Sequence, residues 1–180
     1  MGEIKSTLEL AMERTKRFAI SNEEKAEIKR KEIMQKATSL FNRYLEGYLP
    51  LNEILKEIER MEEKTAKAVK ESLLSQWIDA LSLNGKCERI IKGIESLKQQ
   101  SIDESKQEFY RLLSQYQKEK EKFEEEVRIK VTAALRKESI YGDAVEPKLE
   151  GGELWKKEKG ELDHSYRMKL EEIKEQLRVL

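Results

Sequence analysis

The chain of 180 residues contains one cysteine, Cys87, and one histidine, His164. A single cysteine forms no intrachain disulfide, which is typical of proteins kept in a reducing compartment. One thiol and one imidazole, far apart in the sequence, do not supply the closed nitrogen and sulfur ligand set of a structural zinc site. We therefore expect a cytoplasmic protein without a metal centre or a cofactor.

Long apolar runs are also missing. The longest, Val131–Leu135, is far shorter than the ~20 residues that a membrane-spanning helix needs. The opening sequence, MGEIKSTLELAMERTKR, mixes charges into every turn and does not resemble a signal peptide. We therefore expect no transmembrane segment.

The chain carries no excess of either charge, because 36 basic residues are balanced by 36 acidic ones. Its densest basic clusters, 29–31 and 118–122, are interleaved with or flanked by glutamate. Such mixed faces repel phosphate about as much as they attract it. This pattern counts against nucleic acid as the main ligand.

Proline and glycine are scarce, with two and eight residues, whereas charged residues make up 40% of the chain. This composition is typical of long helices and coiled coils. A disordered chain shares the charge content but lacks regular apolar stripes. The sequence therefore predicts an all-α protein, built as an elongated antiparallel helical bundle or coiled coil.

The 38-residue segment 101–138 contains no glycine or proline. Its apolar residues recur at steps of three and four, which places them on one side of a helix. As one helix it would be about 55 Å long, so other helices must lie along it to bury the stripe. The stripe contains an aromatic and aliphatic seam: Phe109, Leu112, Tyr116, Phe123 and Val127.

Breaks at 47–50 and 84–85 divide residues 1–138 into helices over about 3–46, 51–83 and 86–138. Ser21 and Glu24 form a capping-box pattern, so either one helix changes its face there or two helices meet. A second such pattern, Ser101 and Glu104, leaves open whether 86–138 is one helix or two. An irregular loop over 139–152 precedes a C-terminal helix over 153–180.

Reactive groups are few. Cys87 follows a turn near a helix N-terminus, but it also lies on an apolar stripe, which favours a small buried core residue. Glu161 and His164 form half of a carboxylate-bridged metal motif, and the second half is missing. No phosphate loop or nucleophile elbow occurs. We expect neither an enzyme nor a small-molecule substrate.

Helix-to-helix recognition is the remaining function class. We expect the seam on residues 109–127 to find its partner in the first two helices or in a second copy of the chain, and we favour a homodimer over a monomeric bundle. The irregular loop offers a second candidate site for an unidentified protein. Its candidate residues are Tyr141, Val145, Pro147 and Leu149.

The general organisation, long charged helices with an irregular hinge before a last helix, is similar to that of rotary-ATPase peripheral stalk subunits and of cytosolic coiled-coil adaptors. The leading hypothesis is a non-enzymatic scaffold or protein–protein interaction protein that acts through coiled-coil surfaces. The alternative is a stalk-like or membrane-peripheral subunit of a larger complex, and nucleic-acid binding ranks third.

Overall fold

The computed structural model describes residues 21–85, 87–98, 100–140, 142 and 153–180. Every regular element in those ranges is an α-helix, and the protein is all-α, as the sequence predicts. The helices are α1 (Asn22–Leu45), α2 (Leu51–Glu59), α3 (Glu63–Asp79), α4 (Glu88–Leu97), α5 (Asp103–Lys137) and α6 (Glu153–Val179). No helix in the described ranges has the length and apolar character needed to cross a bilayer.

Helix α1 begins at the predicted capping box. The backbone N–H of Glu24 donates to the hydroxyl of Ser21 at 3.0 Å, and the backbone N–H of Ser21 donates to the Glu24 carboxylate at 2.7 Å. Two N–H groups that have no partner inside the helix are thereby satisfied. The part of the predicted first helix that precedes Ser21 lies outside the described residues.

The connection between α1 and α2 follows from one glycine and one proline. Gly47 has a φ of 87°, the left-handed conformation that terminates helices at low cost in glycine. Its N–H donates to the carbonyl oxygen of Tyr44 at 3.1 Å. Pro50, in an extended conformation, then precedes the first residue of α2, Leu51. The predicted stop is confirmed.

Two compact units make up the chain, Met1–Leu73 and Leu74–Leu180. Within the first, α1 contacts α2, and Arg43 forms an ion pair with Glu57 at 3.6 Å. Each of its helices buries part of its apolar face, whereas Ile28 and Met34 of α1 are exposed. The buried side chains among the described residues of this unit are Ala37, Leu40, Tyr44, Leu49, Ile54, Ile58, Val69 and Leu73.

The expected single helix over 51–83 is instead two helices, α2 and α3, separated by residues 60–62. No glycine or proline occurs there, and the apolar stripe passes through Met61 without losing its period. The spacing of apolar residues shows which face of a helix is apolar. It does not reveal a break when the apolar residues on both sides of the break keep the same spacing. Helix α3 also ends at Asp79, four residues before the expected end.

Residues 86–138, left open as one helix or two, form α4 and α5. The second capping box does not form. The hydroxyl of Ser101 instead donates to the Asp103 carboxylate at 2.6 Å and accepts from the Asp103 N–H at 3.3 Å. Ile102, which is buried, occupies the N-cap position of α5. Helix α5 is therefore preceded by a buried apolar residue, Ile102, and its start is stabilised by the hydrogen bonds between Ser101 and Asp103.

In the second unit α5 and α6 lie along each other. Tyr116 pairs with Tyr166 and Phe123 with Trp155, so residue numbers rise along one helix as they fall along the other. The two helices are therefore antiparallel. Their core continues into α4 and the end of α3, where the indole of Trp77 is fully buried.

Candidate partner-binding groove

The seam predicted on α5 is packed inside the second unit. Phe123 is half-buried and the other four residues are buried: Phe109, Leu112, Tyr116 and Val127. The ring centroids of Tyr116 and Tyr166 are 5.3 Å apart, and those of Phe123 and Trp155 are 5.0 Å apart. Among the described residues α6 supplies the ring contacts of the seam, whereas the sequence predicted its partner in the first two helices or in a second copy of the chain.

The irregular loop falls mostly outside the described residues. Its four candidate site residues, Tyr141, Val145, Pro147 and Leu149, all lie there. Their proposed contact with a partner stays a prediction.

A polar contact fixes the register of α5 against α6. The hydroxyl of Tyr116 donates to Oδ1 of Asp163 at 2.8 Å. Burial, and then this hydrogen bond, raise the pKa of Tyr116 to about 12. Burial also raises the pKa of Tyr166, whose hydroxyl bonds to Glu119. Both tyrosines therefore remain neutral donors at physiological pH.

The last turns of α6 are attached to the end of α3. The ammonium group of Lys174, which is buried, donates to the backbone carbonyl oxygen of Asp79 at 3.2 Å and to Glu171 at 2.9 Å. Arg178 pairs with the carboxylates of Asp79 and Glu175. Cations are favourable at a helix C-terminus, because the last carbonyl groups carry partial negative charge. These contacts hold the end of α6 in place.

Beyond this attachment, the end of α6 and the start of α5 border an open groove. Its volume is about 930 Å³. The described residues that line it come from 101–108 on one side and 172–180 on the other. Because the two helices are antiparallel, the beginning of one and the end of the other form the two walls.

The groove has an apolar part. Ile102 is buried within one wall, whereas Val179 on the other wall is 87% exposed and Leu180 is 42% exposed. Exposed aliphatic side chains are common when scattered singly, but two neighbouring ones beside a concavity provide area that a partner can bury. This end of the unit therefore offers an apolar contact surface.

The charged lining of the groove is acidic. Glu104 and Glu108 stand on the α5 wall, and Glu172 and Glu175 stand on the α6 wall. Among the described lining residues none is basic. Arg178 neutralises Glu175, while the other three glutamates make no ion pair with any described residue. The groove is therefore a region of negative potential next to aliphatic groups.

The side chains that could be chemically reactive, Cys87 and His164, lie outside the groove lining. Cys87 is buried, as predicted, with its sulfur 3.4 Å from the backbone carbonyl oxygen of Ser82. His164 is exposed on α6. Within the described ranges no three His, Cys, Asp or Glu side chains are grouped so as to hold a metal ion.

Sequence reasoning missed the groove because its walls lie about 70 positions apart in the chain. The local sequence carried no distinguishing signal, because Glu104 and Glu108 are like charges at i,i+4, a spacing that this chain repeats at Glu121 and Glu125. Comparison with protein-family models, with curated proteins and with solved structures found no match to this chain.

Proposed function

We propose that this protein is a non-enzymatic, helical interaction protein that binds another protein through the groove between α5 and α6. The observation that carries the proposal is the pair of exposed aliphatic side chains, Val179 and Leu180, beside a concavity of about 930 Å³. Apolar area removed from water contributes roughly 25 cal/mol per Å², so a partner that covers these side chains gains affinity.

The rigidity of one wall supports the same function. The contacts of Lys174 and Arg178 with Asp79 fix the last turns of α6 before any partner arrives. A preformed surface loses little conformational entropy on binding. The groove is therefore suited to recognition without rearrangement of α6.

Site-specific photocrosslinking in cells tests the proposal. A photoreactive amino acid replaces Gln176, an exposed residue of the groove lining, and in a control protein replaces Gln115, an exposed residue of α5 outside the lining. We expect adducts with a second polypeptide from position 176, reduced when the unmodified full chain is present in excess. Equal adduct yields from the two positions, or yields that the competitor does not change, would refute the proposal.

A further inference from the structure

We infer that the occupant of the groove is a basic amphipathic helix of a partner protein, with lysine or arginine residues on either side of an apolar stripe. This inference rests on the proposed function and names the chemistry of the partner. The charge of the walls, their spacing and the position of the apolar side chains favour this occupant.

The charge of the groove walls favours a cationic partner. Glu104, Glu108 and Glu172 face the groove, and none of them has an ionic partner among the described residues. Carboxylates gathered at one concavity repel one another and attract a cationic ligand. An acidic segment would add to that repulsion. The partner segment is therefore basic.

The spacing of the carboxylates along the walls matches that of side chains on a helix. Glu104 and Glu108 are one helical turn apart, about 6 Å along α5, and Glu172 to Val179 covers about two turns, or 10 Å, of α6. A helix laid along the groove presents side chains at i and i+4 with the same 6 Å rise. Cations at that spacing on one edge of such a helix meet Glu104 and Glu108, and a cation on the other edge meets Glu172.

The apolar side chains of the groove match the apolar stripe of an amphipathic helix. Val179 and Leu180 on one wall, with Ile102 on the other, provide the contact for an apolar stripe. Recognition of an amphipathic helix in a groove uses anchors at i, i+3, i+4 and i+7. An extended peptide gains affinity by adding to a sheet edge, and the described residues contain no strand to receive it. The geometry therefore favours a helical occupant.

A binding assay with synthetic peptides tests the inference. The probe is a fluorescent, helix-forming peptide of four turns with a leucine stripe and flanking lysines, and the matched peptide has every lysine replaced by glutamate. Fluorescence anisotropy with the full chain reports affinity. We expect the basic peptide to bind at least about tenfold more tightly than the acidic one, weakening as salt is raised.

Paired charge reversals locate the site. Glu104→Lys with Glu108→Lys should weaken binding of the basic peptide at least about tenfold. The control, Glu121→Lys with Glu125→Lys, makes the same charge change at the same spacing on exposed residues of α5 outside the groove. It should change affinity less than about twofold. Equal losses of affinity in the two variants would show that peptide binding depends only on the net charge of the protein, and would overturn the inference.

A loss of binding in the double reversal must be distinguished from a loss of structure, and two further variants on the opposite wall provide an independent test. Glu104 lies in the first turn of α5, where a negative charge is favourable to the helix, so the double reversal is checked for retained helicity by circular dichroism. Glu172→Lys, in the body of α6, reverses a charge on the opposite wall, and Val179→Ser removes apolar area from an exposed side chain. Each should weaken binding of the basic peptide, and undiminished binding in both would overturn the inference.

The crosslinking experiment separates this inference from the proposed function. If position 176 crosslinks to a basic helical segment of another protein, both stand. If it crosslinks to an acidic segment or to a second copy of this chain, the partner chemistry is wrong while binding at the groove remains. If it gives no specific adduct, the proposed function is refuted, and the inference about the partner, which rests on it, is refuted as well.

Discussion

A Cβ atom at Gly93 would lie 2.9 Å from ring carbons of Trp77. Gly93 is buried in the middle of α4, and the indole of Trp77 is fully buried. The backbone of α4 therefore lies directly against the indole ring, at a distance that no residue with a side chain allows.

Gly93→Ala should destabilise the protein. Alanine favours a helix over glycine by about 1 kcal/mol, but forcing a methyl group against a buried ring costs roughly 1–3 kcal/mol. We expect the cost to exceed the gain, because the indole is enclosed and cannot move away without disturbing its neighbours. The midpoint of urea unfolding, followed by tryptophan fluorescence, should fall.

Gly160→Ala is the matched control. Gly160 lies inside α6 with nothing within 4 Å of the position a Cβ would take. The helix-propensity gain of up to about 1 kcal/mol is then unopposed, and the unfolding midpoint should rise. A rise in both variants would contradict the close packing of α4 on Trp77.

The hydrogen bond between Tyr116 and Asp163 should contribute to the free energy of unfolding. Tyr116→Phe removes the hydroxyl and leaves the Asp163 carboxylate without its donor, at a cost of about 1–3 kcal/mol. Tyr48→Phe is the control, because Tyr48 is 76% exposed and should tolerate the change. Chemical denaturation of both variants at neutral pH measures the difference, and equal midpoints would count against the contact.

The same tyrosine makes stability depend on pH in the alkaline range. Burial and then the Asp163 hydrogen bond raise the pKa of Tyr116 from 10.0 to about 12, so the folded state holds the proton more tightly than the unfolded state. The stabilisation is complete below pH 10 and is lost as the pH rises through about 12.

A spectrophotometric tyrosinate titration tests this. We expect the native protein to show an ionisation near pH 12 that Tyr116→Phe lacks. The difference in unfolding midpoint between the native protein and Tyr116→Phe should also become smaller as this tyrosine ionises. A titration curve that Tyr116→Phe leaves unchanged at high pH would contradict the assignment.

Local chemistry explains what the sequence could predict of the fold. Ser21 with Glu24, and Gly47 with Pro50, determine helix ends through groups within a few residues of each other. The break at 60–62 escaped prediction and the break at 98–102 was left open, because the apolar stripe continues across both of them in register. Neither break contains a glycine or a proline.

Long-range packing explains the rest. The period of the stripe on α5 showed that Phe109 and Tyr116 face a partner helix, but not which helix supplies that partner. The structure supplies α6, and so the predicted binding seam is internal. The groove depends on how two antiparallel helices are aligned, a property of their register that neither helix carries in its own sequence.

The capping box at Ser21 should stabilise the first turn of α1. Ser21→Ala removes the acceptor for the Glu24 N–H and should cost about 1 kcal/mol, whereas Ser21→Asp keeps an acceptor and should cost little. Hydrogen exchange of the amides in the first turn measures the local effect. Faster exchange in Ser21→Asp than in Ser21→Ala would contradict the geometry.

Two cations that attach α6 to Asp79 should differ in their contribution to stability. The side chain of Lys174 is 10% exposed, so Lys174→Ala removes a buried aliphatic stem and a hydrogen bond to a helix end, at roughly 1–3 kcal/mol. The Arg178 pair with Asp79 is more open to solvent, and Arg178→Gln should cost at most about 1 kcal/mol, less at high salt. Urea unfolding at low and high salt measures both variants. A larger, salt-sensitive loss in Arg178→Gln than in Lys174→Ala would show that surface charge, and not burial, holds the end of α6 in place.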